Sequence, residues 1–120
     1  GFQICSIEDF NFEDDSYDIV SAQRAMPFIA NKNTLFEVME KIKLSLKQDG
    51  IFAGHFFGIN DTWCKEGKLM TFLNREEVES IVKGVRLIKL KEYEEDSQTA
   101  KGTPHHWHIF EVIFAKENID

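Results

Sequence analysis

Three histidines, His105, His106 and His108, fall within four residues, and a fourth, His55, sits inside the apolar run Ile51–Phe57. Imidazoles in such density raise metal binding first. Zinc requires three or four ligands at defined separations, and neither C-x-x-C nor H-E-x-x-H is present to complete a set. In a strand, His106 and His108 point to one face and His105 with Trp107 to the other. They are therefore expected as surface imidazoles or as the lining of a pocket, and no metal is expected. His55 reads as a hydrogen-bonded core histidine, with a general base beside a substrate as the sharper alternative. Trp63, Trp107 and most of the phenylalanines suit ordinary packing, although an aromatic cage for a flat or cationic ligand has the same composition. Arg24 at a strand tip would clamp an anion or stand in solvent. No Ser-His-Asp set and no catalytic carboxylate pair is evident. The acidic runs Glu8–Asp15 and Glu92–Asp96 read as solvated loops.

The elements that must position these residues alternate. Phe2–Ser6 is a short apolar segment suited to a strand, and Tyr17–Ala22 is a second strand ending at the polar tip Gln23-Arg24. Pro27 disfavours helical geometry at Met26. A helix is predicted from about Asn33 to Gln48, with Asn33 as N-cap. Leu35, Val38, Met39, Ile42 and Leu46 share one of its faces, and Gly50 would close it in the left-handed conformation. Ile51–Phe57 follows as a strand apolar enough to be buried on both faces. Asn74 and Glu77 form a capping box, with Leu73 stapling onto Val78, for a second helix buried through Val78, Ile81 and Val82 and ended by Gly84. A strand from Val85 to about Tyr93, a polar connector Glu94–Pro104 and a strand Trp107–Phe114 suggest an antiparallel hairpin. The fold class is α/β, a mostly parallel sheet with an antiparallel finish.

The chain of 120 residues has room for one domain. Its hydrophobic fraction of 42% exceeds that of disordered chains, and 29% charged residues argue against a membrane protein. No run approaches the roughly 20 apolar residues that span a bilayer. A formal net charge of −7 disfavours binding to a bare phosphate backbone. Cys5 and Cys64 form no disulfide framework and suit reduced thiols in a cytoplasmic protein. No signal peptide is visible at Gly1, and without an initiating methionine the chain is expected to begin inside a longer one.

The order of elements is similar to the class I S-adenosylmethionine-dependent methyltransferase fold. Tyr17-Asp18-Ile19-Val20-Ser21-Ala22 resembles the fourth strand of that family. Ser45-Leu46-Lys47-Gln48-Asp49-Gly50-Ile51-Phe52 resembles the turn into its fifth. Phe72-Leu73-Asn74-Arg75-Glu76-Glu77-Val78 resembles the capped helix that follows, and Lys101–Lys116 the closing strand. The resemblance covers nearly the whole chain and implies Rossmann-like architecture with S-adenosylmethionine as cofactor. It implies cofactor contacts at Ser6, Ile7 and Glu8 after the third strand, and at Ser21, Ala22 and Gln23 at the tip of the fourth. Arg24 at that tip, and Phe57, Gly58, Asn60, Asp61 and Trp63 in the loop after the fifth strand, are implied to face a small-molecule methyl acceptor, with His55 a candidate beside it. No catalytic residue is implied, because alignment of nucleophile, methyl and sulfur can dominate such a transfer.

Parts of the family pattern have no counterpart. The seven glycines include no G-x-G, and no acidic residue stands where the family holds the ribose. The 120 residues are thus expected to be the C-terminal part of one such domain, inactive alone. Tyr17–Ala22 would be left as an exposed edge, inviting strand pairing into a dimer or homo-oligomer. The alternative is a non-catalytic protein-interaction module built on the same fold. A nucleotide-binding oxidoreductase fits the terminal hairpin less well.

Overall fold

The computed structural model describes residues 13–14, 16–22, 26–29 and 31–117. The expected strand Phe2–Ser6 lies outside them. Strand β1 (Tyr17–Ala22) is followed by a short 3-10 turn, Met26–Phe28, and helix α1 (Lys32–Ser45). Strand β2 (Leu46–Gly58), the four-residue helix α2 (Thr62–Lys65), the short strand β3 (Phe72–Leu73) and helix α3 (Arg75–Ile81) come next. The long strands β4 (Arg86–Gln98) and β5 (Pro104–Ala115) close the chain. The sheet order is β1-β2-β5-β4, with β1 and β3 parallel to β2 and both contacts of β5 antiparallel. This is the predicted α/β sheet with an antiparallel finish.

The core occupies one face. Phe52 and Phe56 of β2, Phe110, Val112 and Phe114 of β5, and Leu35, Val38, Met39 and Ile42 of α1 form a single buried cluster. Val78 and Ile81 of α3 join it, so both longer helices cover the same side of the sheet. The alternate residues of β2, Ile51, Ala53 and His55, are only partly buried. The expectation of a strand buried on both faces is therefore corrected: the period-2 side-chain alternation puts Phe52 and Phe56 under the helices and leaves the other face half open.

Helix boundaries also shift. The N-cap of α1 is Asn31 rather than Asn33, its Oδ1 accepting from the N–H groups of Asn33 at 2.8 Å and Thr34 at 3.3 Å. The helix stops at Ser45 rather than Gln48 because Leu46 turns into the core and pairs with Tyr17. Asp49, not Gly50, takes the left-handed conformation, with φ 63°. Gly50 is needed for a different reason: a Cβ there would press on the carbonyls of Lys47 and Tyr17. Met26, expected to stand outside any helix, begins the 3-10 turn, which is held through the Thr71 N–H bonded to the Pro27 carbonyl at 2.9 Å.

The second helix follows its signals closely. Asn74 and Glu77 form the reciprocal capping box, Leu73 and Val78 are both buried, and Gly84 has φ +77° beyond the C-terminus. Asn74→Ala is expected to cost about 1 kcal/mol, read as a shift in urea midpoint at constant slope. A variant that matched the parent midpoint would show the cap to be energetically idle.

The acidic run Glu92–Asp96 is not a loop. It belongs to β4, in register with Phe110 through His106, and the connector shrinks to residues 99–103. Histidines and an arginine facing these carboxylates make the strand tolerable there. Among the described residues no helix is long and apolar enough to cross a membrane.

Candidate functional site

The half-open face of the sheet carries a groove of about 1090 Å³ where β2 ends. Its floor and wall come from positions of the same parity: His55 and Phe57 on β2, His105, Trp107 and Ile109 on β5, and Tyr93 and Glu95 on β4. Trp63 of α2 leans in from the loop after β2, and Phe28 and Met70 close the far side. Four rings make one wall. Trp107 lies 4.0 Å from His105 and 5.4 Å from Trp63, centroid to centroid, and 6.0 Å from Phe57. Trp63 in turn meets the His105 ring edge-on at 4.5 Å.

Behind that wall a buried polar knot fixes the loop. The Asp61 carboxylate is fully buried; its Oδ1 accepts from the Trp63 N–H at 3.0 Å as the N-cap of α2, and lies 2.7 Å from His105 Nε2. Its Oδ2 accepts from the His108 N–H at 3.1 Å. His108 returns the contact, with Nδ1 accepting from the Asn60 N–H at 3.1 Å. That bond leaves the proton on Nε2, which donates to Glu92 at 2.7 Å. The Thr62 hydroxyl accepts from the His106 N–H at 2.8 Å. Loop 58–63 is thereby sewn to β5 across more than forty residues of sequence.

Of the positions expected to contact a cofactor, Ser6, Ile7, Glu8 and Gln23 lie outside the described residues, as does Arg24. Ser21 is exposed and Ala22 buried at the carboxyl end of β1, where Ala22 pairs with Gly54. His55, Phe57 and Trp63 meet in the groove. Asn60 stands outside it: exposed, with its N–H on His108 and its side chain bonded to Glu94. His55 is not the hydrogen-bonded core histidine that was expected. Its Nε2 is 4.0 Å from Glu111, and its buried Nδ1 has no partner. His105 and Trp107 share a face opposite His106 and His108, as strand geometry required. Asp61 and Gly58, implied to face the acceptor, do not: Asp61 is buried behind the wall against His105, and Gly58 packs on the His108 ring. The pairing with His105 and the contributions of Phe28, Met70 and Tyr93 depend on contacts distant in sequence and carried no signal of their own.

On the opposite face His106 is bracketed by Glu94 and Asp96, each 2.8 Å from a ring nitrogen. The bond to Glu94, and then that to Asp96, raises the imidazole above its ordinary value of 6.5, and the bond to His106 lowers Glu94 below 4.5. A raised histidine contributes stability fully present below its unfolded value and lost as pH climbs through its folded value. The lowered carboxylate contributes above its unfolded value and loses that contribution as pH falls through its folded one. The bracket is therefore strongest between about pH 4.5 and 6.5. The stability difference between the parent chain and His106→Gln is expected to shrink as pH rises beyond that window. A difference independent of pH would show that the bracket is not ionic.

No protein-family model and no curated protein matches this chain. Solved structures do. A methyltransferase dependent on S-adenosylmethionine from Methanosarcina mazei superposes with a TM-score of 0.73 at 12% identity, over 98% of this chain and 68% of that one. The Haloferax volcanii methyltransferase crystallised with its Trm112 activator gives 0.68 at 16%, over 98% and 62%. The N-methyltransferase NodS of Bradyrhizobium japonicum, bound to S-adenosyl-L-homocysteine, gives 0.65 at 9%, over 95% and 53%. The chain spans between about half and two thirds of the length of these three structures. With its β1-β2-β5-β4 order and one-sided helices, the chain has the class I S-adenosylmethionine-dependent methyltransferase fold.

Proposed function

We propose that the chain forms the acceptor-side part of a methyltransferase that moves a methyl group from S-adenosylmethionine to a small molecule. The groove at the carboxyl end of β2 is the observation that carries this reading, because ligands of open α/β sheets bind outside the carboxyl ends of parallel strands. Bound S-adenosylmethionine supplies an electrophilic methyl group. The residues of this chain do the rest by placement. Phe57, Trp63 and Trp107 offer an apolar wall that excludes water from an acceptor. The buried Asp61–His105 pair holds that wall in one geometry, and alignment of this kind accounts for much of the barrier in a direct transfer. A reduced, cytoplasmic setting suits the free Cys64.

For the cofactor itself the described residues give one border, Ser21 and Ala22, and no cradle. Gly50, Gly54 and Gly58 lie within β2, where the missing Cβ makes room for Tyr17, Phe52 and His108. Gly67, Gly84 and Gly102 sit in left-handed turns facing open space. The glycine-rich turn is therefore assigned to residues other than these 120, in a longer polypeptide or in a second copy paired along Tyr17–Ala22, and this chain alone is expected to be inactive.

Calorimetric titration with S-adenosylhomocysteine tests the reading. The expected result is no saturable heat with this chain and one site per chain with the full reading frame that carries it. Failure of the full-length protein to bind would overturn the methyltransferase proposal. One tight site on this chain alone would instead overturn its incompleteness.

A further inference from the structure

The groove also restricts what it can hold. Both tryptophans of the chain, Trp63 and Trp107, line it, together with Phe57, Tyr93 and His105. Aromatic faces attract flat rings and cations and repel anions, because the π cloud is negative. Tyr93 already has the exposed Lys91 Nζ 5.4 Å from its ring centroid, so the rings open to a ligand are those of Trp63 and Trp107. Charge adds to their preference. Glu95 is directly opposite Trp107 in the β4–β5 register, so its carboxylate is on the face of the sheet that carries the rings. Among the described residues Glu95 makes no ion pair, although its strand neighbours Glu94 and Asp96 are both engaged by His106. Glu66 lines the groove as well. Lys68, from the same segment as Glu66, and Lys101 in the hairpin turn balance the acids in number, so the charge bearing on the rings is that of Glu95, the one charged lining residue on the ring-bearing strands.

We infer that the groove binds a flat aromatic ring carrying a cationic amine, the ring packed on Trp63 and Trp107 and the ammonium directed to Glu95. The inference names the acceptor class for the methyltransferase reading and rests on it for that role. There the bound ammonium gives up one proton, with the Glu95 carboxylate or water as acceptor. The nitrogen lone pair then forms the N–CH3 bond as the S–CH3 bond breaks, and S-adenosylhomocysteine leaves. Binding itself needs no cofactor.

The two tryptophans report occupancy, since no other tryptophan in the chain contributes emission. Emission is followed during titration with three probes of similar size: 2-phenylethylamine, 2-cyclohexylethylamine and phenylacetate. The flat cation is expected to give a saturable change, with the saturated amine and the flat anion each about fivefold or more weaker. Glu95→Gln is expected to narrow the gap between phenylethylamine and phenylacetate while keeping the ring preference. Trp107→Leu removes one ring of the wall and is expected to weaken phenylethylamine binding, read through Trp63. Equal binding of the saturated amine, a preference for phenylacetate, or no saturable response to any probe would overturn the inference. Titration of the full reading frame with S-adenosylhomocysteine keeps the two readings apart. Cofactor binding without amine binding sinks this proposal alone, and amine binding without cofactor binding sinks the methyltransferase reading alone.

Discussion

Asp61→Ala is expected to lower the unfolding free energy by about 3–5 kcal/mol, the range for breaking a buried pair and stranding its partner. Three donors lose their acceptor at once: the Trp63 N–H, the His108 N–H and His105 Nε2, two of them on a strand more than forty residues away. None can turn to water without opening the loop, since the side chains of His105 and Asp61 are 2% and 0% exposed. Asp61→Asn keeps a carbonyl acceptor and is expected to cost less, about 1–3 kcal/mol. Chemical denaturation followed by tryptophan emission measures both. Because Trp63 and Trp107 flank the knot, the folded baseline should change as well. A loss below about 1 kcal/mol for the alanine variant would mean that the loop finds other partners, and that the wall is not fixed from behind.

Gly58→Ala is the second large effect, at about 2–4 kcal/mol. A methyl at this position would fall within the ring of His108, which is 3% exposed and held at both nitrogens. The ring would have to move, giving up the Asn60 N–H on one side and Glu92 on the other. Backbone conformation is not the cause, for Gly58 is absent from the positive-φ residues and sits in ordinary strand geometry. Steric origin makes a double variant decisive. His108→Ala removes the obstacle, so Gly58→Ala should cost far less in that background than alone, a coupling of about 1–3 kcal/mol. Strict additivity would exclude the clash. A single variant within about 0.5 kcal/mol of the parent would show that the strand end relaxes freely.

What could be read beforehand was local. The capping box at Asn74 and Glu77, the left-handed Gly84 and the apolar stripe of α1 each arise from contacts within a turn or two. Their signals are therefore written in neighbouring residues. The alternation that separates His105 and Trp107 from His106 and His108 is likewise local, since a strand has a period of two. Errors began where two local options were nearly equal. Asn31 and Asn33 can both cap a helix, and only the packing of Leu46 against Tyr17 set the helix end and hence its register. The acidic stretch from Glu92 to Asp96 carries no β signature of its own. It is a strand because β5 offers His106 and His108 opposite it.

The sequence by itself determined the type and order of the longer described elements, β1, α1, β2, α3, β4 and β5, and a mostly parallel sheet ending in a hairpin. The same order supported the resemblance to a methyltransferase, because hydrophobic period, caps and turn glycines depend on residues close along the chain. Tertiary structure decided which face of β2 is covered and that four rings from three elements form a wall. It also decided that Asp61 finds His105, and that the three glycines of β2 serve packing instead of a ligand. Those outcomes depend on side chains that meet only after the strands have paired, and no spacing along the chain encodes the angle at which they meet.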